Sequence, residues 1–113
     1  MLNQVIMESA VIKNEGLKFT QNGKAFLSLV LVFKTLEKSD KGWGEKKNYI
    51  RGTLWGKMAQ NCSSLIKTGQ TIIIRGKLRQ NNWQMNNGIM VQGYSLGIDE
   101  IHLTRRKDKI GGE

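Results

Sequence analysis

Two stretches of this chain alternate with a period of two, and that period constrains the fold more than any other feature. In residues 47–55, Lys47, Tyr49, Arg51 and Trp55 fall on one side of an extended strand, while Ile50, Gly52 and Leu54 fall on the other. Residues 71–83 do the same: Thr71, Ile73, Arg75, Lys77, Arg79 and Trp83 share one face, and Ile72, Ile74, Gly76 and Leu78 the opposite one. Each strand can bury its apolar row and present a row of rings set among fixed positive charges. Flat π-faces among cations suit a ligand with stackable rings on an anionic backbone. Single-stranded nucleic acid has that chemistry.

Charge points the same way. Among 113 residues, 18 Lys plus Arg face 9 Asp plus Glu, a formal net charge of +9. Such an imbalance favours polyanionic partners, nucleic acid before an acidic membrane surface. The basic residues sit at strand spacing and form no amphipathic interfacial helix, which counts against the membrane. No apolar run approaches the roughly 20 residues of a membrane span. The start, Met1 to Glu8, lacks the basic and then apolar pattern of a signal peptide. The expectation is a soluble, cytoplasmic protein of one domain.

The remaining elements follow from local signals. Val5, Ile6, Met7, Val11 and Ile12 read as a first strand over 2–12, with Glu15-Gly16 as a turn. Gln21-Asn22-Gly23 is a hairpin cue. Residues 24–35 form a second strand whose odd positions, Ala25, Leu27, Leu29, Leu31 and Phe33, make one apolar face. Residues 36–46, charged and with two glycines, read as the loop at a hairpin tip. Met58, Cys62, Leu65 and Ile66 form one stripe of a short helix over roughly 57–67, with Gly69 as its left-handed C-terminal residue. After the strand at 71–83, Asn86-Asn87-Gly88 turns the chain into a last strand over 89–103, where Gly93 and Gly97 mark a bulge or bend. Five strands with a helix between the third and fourth are expected to close into an OB-fold barrel, an all-β architecture that often hosts oligonucleotides.

With those elements in place, the chain resembles the DNA-binding domain of bacterial single-stranded-DNA-binding proteins over nearly all of 1–103. The resemblance is carried by Asn3-Gln4-Val5-Ile6, by Phe19-Thr20-Gln21-Asn22-Gly23-Lys24-Ala25, and by Tyr49-Ile50-Arg51 followed by Trp55-Gly56-Lys57-Met58-Ala59. Lys67-Thr68-Gly69, then Ile74-Arg75-Gly76-Lys77-Leu78-Arg79 and Trp83, continue it in order. It implies an OB-fold domain over 1–104 that binds and protects single-stranded DNA without reading sequence, in replication, recombination and repair. By position, Tyr49, Trp55 and Trp83 match base-stacking aromatics, and Arg51, Lys57 and Arg79 match basic positions beside the strand. Lys47, Arg75 and Lys77, on the same faces, join them as candidate phosphate contacts. The resemblance also implies a homo-oligomer, a homotetramer or a dimer, with replication and repair proteins as further partners and no cofactor.

The chain departs from the family pattern at several positions. Ser9 stands where Gly is usual, and Ile50 replaces a common His that bears on oligomer contacts. A stacking tryptophan expected near 36–37 is replaced by Leu36-Glu37, with Trp43 as a substitute in the same loop. The acidic C-terminal peptide of the family has no counterpart in 105–113, a short basic tail, so the tail was removed or the chain is a tailless phage, plasmid or primosomal relative. Alternative functions are a primosomal OB-fold adaptor in replication restart and an RNA- or tRNA-binding OB domain.

No constellation for catalysis is visible. Cys62 reads as a small buried hydrophobe in the helix stripe. His102 stands alone, without ligands at metal spacing. Asp99 and Glu100, adjacent in a strand, are sent to opposite faces and form no carboxylate pair. The chain is expected to bind, not to catalyse.

Overall fold

The computed structural model describes residues 1–84 and 88–104; of residues 83, 84 and 90–92 it describes the backbone only. Its elements are β1 (Val5–Phe19), β2 (Ala25–Ser39), β3 (Gly42–Trp55), α1 (Gly56–Cys62), β4 (Thr71–Gln84) and β5 (Met90–Leu103). The strands close in the order β1-β2-β3-β5-β4, with β4 returning to β1. Every pairing is antiparallel except β3 with β5, which is parallel over Arg51–Thr53 and Ser95–Gly97. This is the five-stranded OB-fold barrel expected from the strand pattern.

Closure depends on β1 serving two neighbours. Its first half pairs with β4 and its second half with β2, and Ala10 faces both Val32 and Thr71. Register shifts after Val11 and after Asn14 bend the strand from one neighbour to the other. The first strand is thus longer than expected. Glu15-Gly16 is a bulge within it, Gly16 supplying the positive φ of 86°, and no turn. The Asn-Gly signal does make the β1–β2 hairpin, where the amide of Gly23 donates to the Thr20 carbonyl at 2.9 Å.

The period-two reading holds in the core. Ala25, Leu27, Leu29 and Leu31 of β2, Leu54 of β3, Ile72 and Ile74 of β4, and Leu96 and Ile98 of β5 are all buried, with Val11, Ala59 and Ile66 completing the cluster. Full burial of each Leu, Ile or Val side chain among them contributes about 1.5–3 kcal/mol. Leu78, expected on the same inner face, is exposed because β4 has left the barrel by that point. Asn3 holds this departing segment: its amide accepts from the Leu78 N–H at 3.1 Å and donates to the Leu78 carbonyl at 2.9 Å.

Three further expectations are corrected. The helix stops at Cys62, and its stripe does not reach Leu65, which is exposed. The Asn14 side chain, on the β1 bulge, donates to the carbonyls of Ser63 and Ile66 at 3.0 Å each, which satisfies acceptors that a continuing helix would use. Gly69 has the expected positive φ of 90°, but seven residues past the helix, where its N–H donates to Val11 at 2.7 Å. The stretch 36–46 is mostly strand: β2 and β3 stay paired out to Ser39 and Gly42, and only Asp40-Lys41 turns. Solvent on both faces of this arm erased the alternation that would have marked it.

The bend in β5 lies beside Gly97. Arg75 pairs with Glu100 and Gly76 with Ile98, leaving Asp99 as the extra residue. Gly76 is required there, because a Cβ would overlap the Gly97 carbonyl oxygen. Asp99 lines a cleft with Lys77 and Arg79, and Glu100 a different one with Arg75 and His102. No helix among the described residues is long and apolar enough to cross a membrane. Residues 105–113, read as a basic tail, and Asn86-Asn87, read as a turn, lie outside the described residues.

Candidate nucleic-acid interface

Parallel pairing of β3 with β5 brings the two alternating faces of the sequence together. Arg51 is opposite Ser95, and Ser95 is opposite Arg79; Thr53 is opposite Gly97, and Gly97 opposite Lys77. With strands about 4.8 Å apart, the backbones carrying Arg51 and Arg79 lie roughly 10 Å apart. The outer row of β5 between them is Gly93, Ser95 and Gly97, so no bulky side chain separates the flanking strands. The result is a shallow trough floored by β5.

Two clefts open along this trough. One of about 350 Å³ is lined by Tyr49, Arg51, Asn81 and Ser95 among others. The other, about 320 Å³, is lined by Trp55, Lys77, Arg79, Gly97 and Asn3 among others. Tyr49 is 62% exposed and Trp55 36%. Trp55 pairs across the ladder with Phe26, the ring centroids 5.4 Å apart at a 36° tilt, and the Lys24 ammonium sits 4.7 Å from its ring centroid. Those neighbours fix the indole on the surface, so it is held in place without being buried.

The candidate cations differ in what holds them. Lys47, Lys57, Lys77 and Arg79 are exposed and form no ion pair among the described residues. Arg51 meets Glu15 at 3.2 Å through one nitrogen, its side chain still largely in solvent. Arg75 is not brought to the trough. It lies beyond the β4–β5 bulge and grips Glu100 through Nε at 3.1 Å and Nη2 at 2.8 Å. The same carboxylate contacts His102 Nε2 at 2.6 Å. Hydrogen bonds from Arg75, then from His102, hold the Glu100 carboxyl below its ordinary range. This end of the barrel also exposes Ile6 (69%) and Ile73. Lys47 sits on the β2–β3 arm opposite Lys34, and Lys57 in the first turn of α1.

Trp83 occupies a β4 position opposite Val91, and its side chain lies outside the described residues. Sequence reading missed Lys24 and Phe26, which reach Trp55 only through the β2–β3 register, and Tyr94, which is 58% exposed on β5. Cys62 is only half-buried against the core, and that burial pushes its thiol up, away from the reactive thiolate form. Among the described residues no group of His, Cys, Asp and Glu is placed to hold a metal ion.

Fold and face together define an OB-fold barrel bearing an aromatic, cationic trough across β3, β5 and β4. The chain belongs to the single-strand binding protein family, whose model matches residues 2–104. It is similar to the single-stranded DNA-binding protein of Treponema pallidum (strain Nichols), 26% identical over 103 residues that take in 91% of this chain and 55% of that one. It is also similar to single-stranded DNA-binding protein 1 of Tropheryma whipplei (strain Twist), 31% identical over 94 residues, 80% of this chain and 50% of that one. The chain spans about half the length of these curated relatives. Among solved structures it shares its fold with a deletion mutant of the single-stranded DNA binding protein from Thermus aquaticus, with TM-score 0.79, 23% identity, and coverage of 95% of this chain and 52% of that one. It shares it too with the Plasmodium falciparum SSB in complex with ssDNA, with TM-score 0.81, 13% identity, and coverage of 93% and 97%.

Proposed function

We propose that this domain binds single-stranded DNA with little regard to sequence, and so protects it during replication, recombination and repair. The observation that carries the reading is the trough, in which exposed Tyr49 and Trp55 lie among Lys77 and Arg79, which form no ion pair among the described residues, on a floor of small β5 residues. Family membership and the fold shared with a protein solved in complex with ssDNA support it. Bases stack on Tyr49, Trp55 and Trp83, each worth about 1–3 kcal/mol, a magnitude known for single-strand-binding OB-folds as a class. Lys47, Arg51, Lys57, Lys77 and Arg79 take the phosphates and release counterions. Arg75, bound to Glu100, is left out of this set. Every base has a π-face, so sequence matters little, and duplex, whose faces are already stacked, is excluded.

Titration with oligo(dT) while following tryptophan fluorescence tests the reading. Quenching by the single strand, weakened by salt and absent with duplex, is expected. Equal response to duplex would overturn it.

Assembly with further copies of the chain, as a dimer or homotetramer, is favoured by a separate feature. Ile6 and Ile73 are exposed on neighbouring strands, away from the trough, and a second copy would remove them from water. Light scattering at working concentration is expected to give a multiple of the 12.8 kDa chain mass. A monomer mass would sink the proposal.

A further inference from the structure

We propose that Tyr94 is the second wall of a slot for one unpaired base, Tyr49 being the first. The inference rests on the reading of the trough as a single-strand track and makes one part of it specific. Alternation along β5 would turn Tyr94 inward with Leu96 and Ile98, but here the strand has left the barrel and the residue is 58% exposed. A lone exposed tyrosine is ordinary. Two on the same cleft are not: Tyr49 from β3 and Tyr94 from β5 line one opening of about 350 Å³. That volume lies at the small end of ligand sites, about 300–1,000 Å³, which fits a single nucleotide and not a run of them.

The rest of the cleft suits a base. Val30 and Ile50 give it apolar surface, and Gly93 adds no side chain. Its polar part is Asn81, whose Nδ2 donates to Ser95 Oγ at 2.8 Å. That bond fixes the amide and uses one of its two N–H groups, leaving a donor and, among the described residues, an acceptor. A donor beside an acceptor can pair with an edge of any of the four bases, provided no complementary strand occupies it. Arg51, on the same cleft and largely in solvent, is in reach of the phosphate of the same nucleotide. Trp55 differs, because Phe26 and Lys24 already lie against it, so it offers a platform where the tyrosines offer a slot.

A double-mutant cycle on the full chain, read by anisotropy of a labelled oligo(dT), tests this. Tyr49→Ala and Tyr94→Ala are each expected to weaken binding roughly fivefold or more, and the pair together to lose little beyond the worse single change, because both lose the same base. Tyr94→Phe keeps the ring and is expected to bind as wild type, and an unchanged urea midpoint for Tyr94→Ala shows that the barrel is intact. Multiplicative losses would mean two separate bases and would overturn the slot; so would an unaffected Tyr94→Ala. If Trp55→Ala weakens binding while Tyr94→Ala does not, only the slot fails. If the wild-type chain does not bind oligo(dT), the single-strand reading fails with it.

Discussion

The side chain of Arg79 lies across Gly97: a Cβ placed on that glycine would meet the arginine Cδ at 3.3 Å. The trough thus depends on what β5 lacks. Gly97→Ala needs a shift of only a few tenths of an ångström from an exposed, flexible side chain, and DNA binding should be preserved. Gly97→Leu would push Arg79 off the floor and fill the cleft beside Trp55. Its affinity for oligo(dT) is expected to fall roughly tenfold or more, about the worth of one charge-assisted contact, with the urea midpoint nearly unchanged. Equal binding by Gly97→Leu and Gly97→Ala would show that the trough floor does not matter.

The facing glycine behaves in the opposite way. A Cβ on Gly76 would strike the Gly97 carbonyl, which belongs to the backbone and cannot swing aside. Gly76→Ala should therefore destabilise the fold by about 1–3 kcal/mol, the usual cost of overpacking. Urea denaturation of the two alanine variants side by side checks the contrast, and a Gly76→Ala midpoint at the wild-type value would contradict it.

Salt dependence separates the cations. Each phosphate contact on a single strand contributes about 0.7 to the slope of log affinity against log salt. Lys77→Ala and Arg79→Ala should each reduce the slope by roughly that amount, because neither is committed to a carboxylate among the described residues. Arg75→Ala should leave it unchanged, since that guanidinium is held by Glu100 beyond the bulge. A slope reduced by Arg75→Ala and not by Lys77→Ala would invert the assignment.

How far the sequence reached depends on whether a side chain's environment was set by its own strand or by a distant one. Leu27, Leu29 and Leu31 were legible because one face of β2 stays in the core from Ala25 to Leu31. Leu78 and Tyr94 follow the same alternation and break it, because β4 and β5 continue past the barrel, and strand length relative to barrel height is not written locally. The helix end was illegible for a related reason. The apolar stripe runs on past Cys62, while the group that takes its carbonyls, Asn14, is some fifty residues earlier on a bulge. In the trough, Tyr49, Trp55, Lys77 and Arg79 are residues whose shared exposed face was legible from period and charge. Lys24 and Phe26 enter only through pairing register, and Arg75 leaves only because a bulge puts Glu100 beside it.

That Glu100 contact has a pH signature. Its carboxyl titrates below the ordinary value of 4.5 because Arg75 and His102 hydrogen-bond the charged form. A group whose folded pKa is depressed adds stability above its unfolded pKa and loses it as pH falls through the folded one. Wild type should therefore lose part of its margin over Glu100→Gln between about pH 5 and the acid limit of the carboxylate. Urea midpoints of both proteins across that range are the measurement. A difference between them that stays constant with pH would mean that the ionised carboxylate adds nothing. The contact is solvent-accessible, so the effect should also shrink in high salt.

Asn14 offers the sharpest test of how helix and barrel are joined. Its Nδ2 donates to the carbonyls of Ser63 and Ile66, and its Oδ1 accepts from the Gly16 N–H at 2.8 Å, so one half-buried amide serves the helix end and the β1 bulge together. Asn14→Ala strands all three groups and should cost roughly 1–3 kcal/mol. Asn14→Asp keeps the acceptor toward Gly16 but loses the donors and sets a negative charge against two carbonyls. It should be at least as destabilising as alanine, although aspartate is otherwise well suited to such a turn. If Asn14→Asp matched wild type in urea, the bulge contact alone would matter, and the helix end would be held by the burial of Ile66.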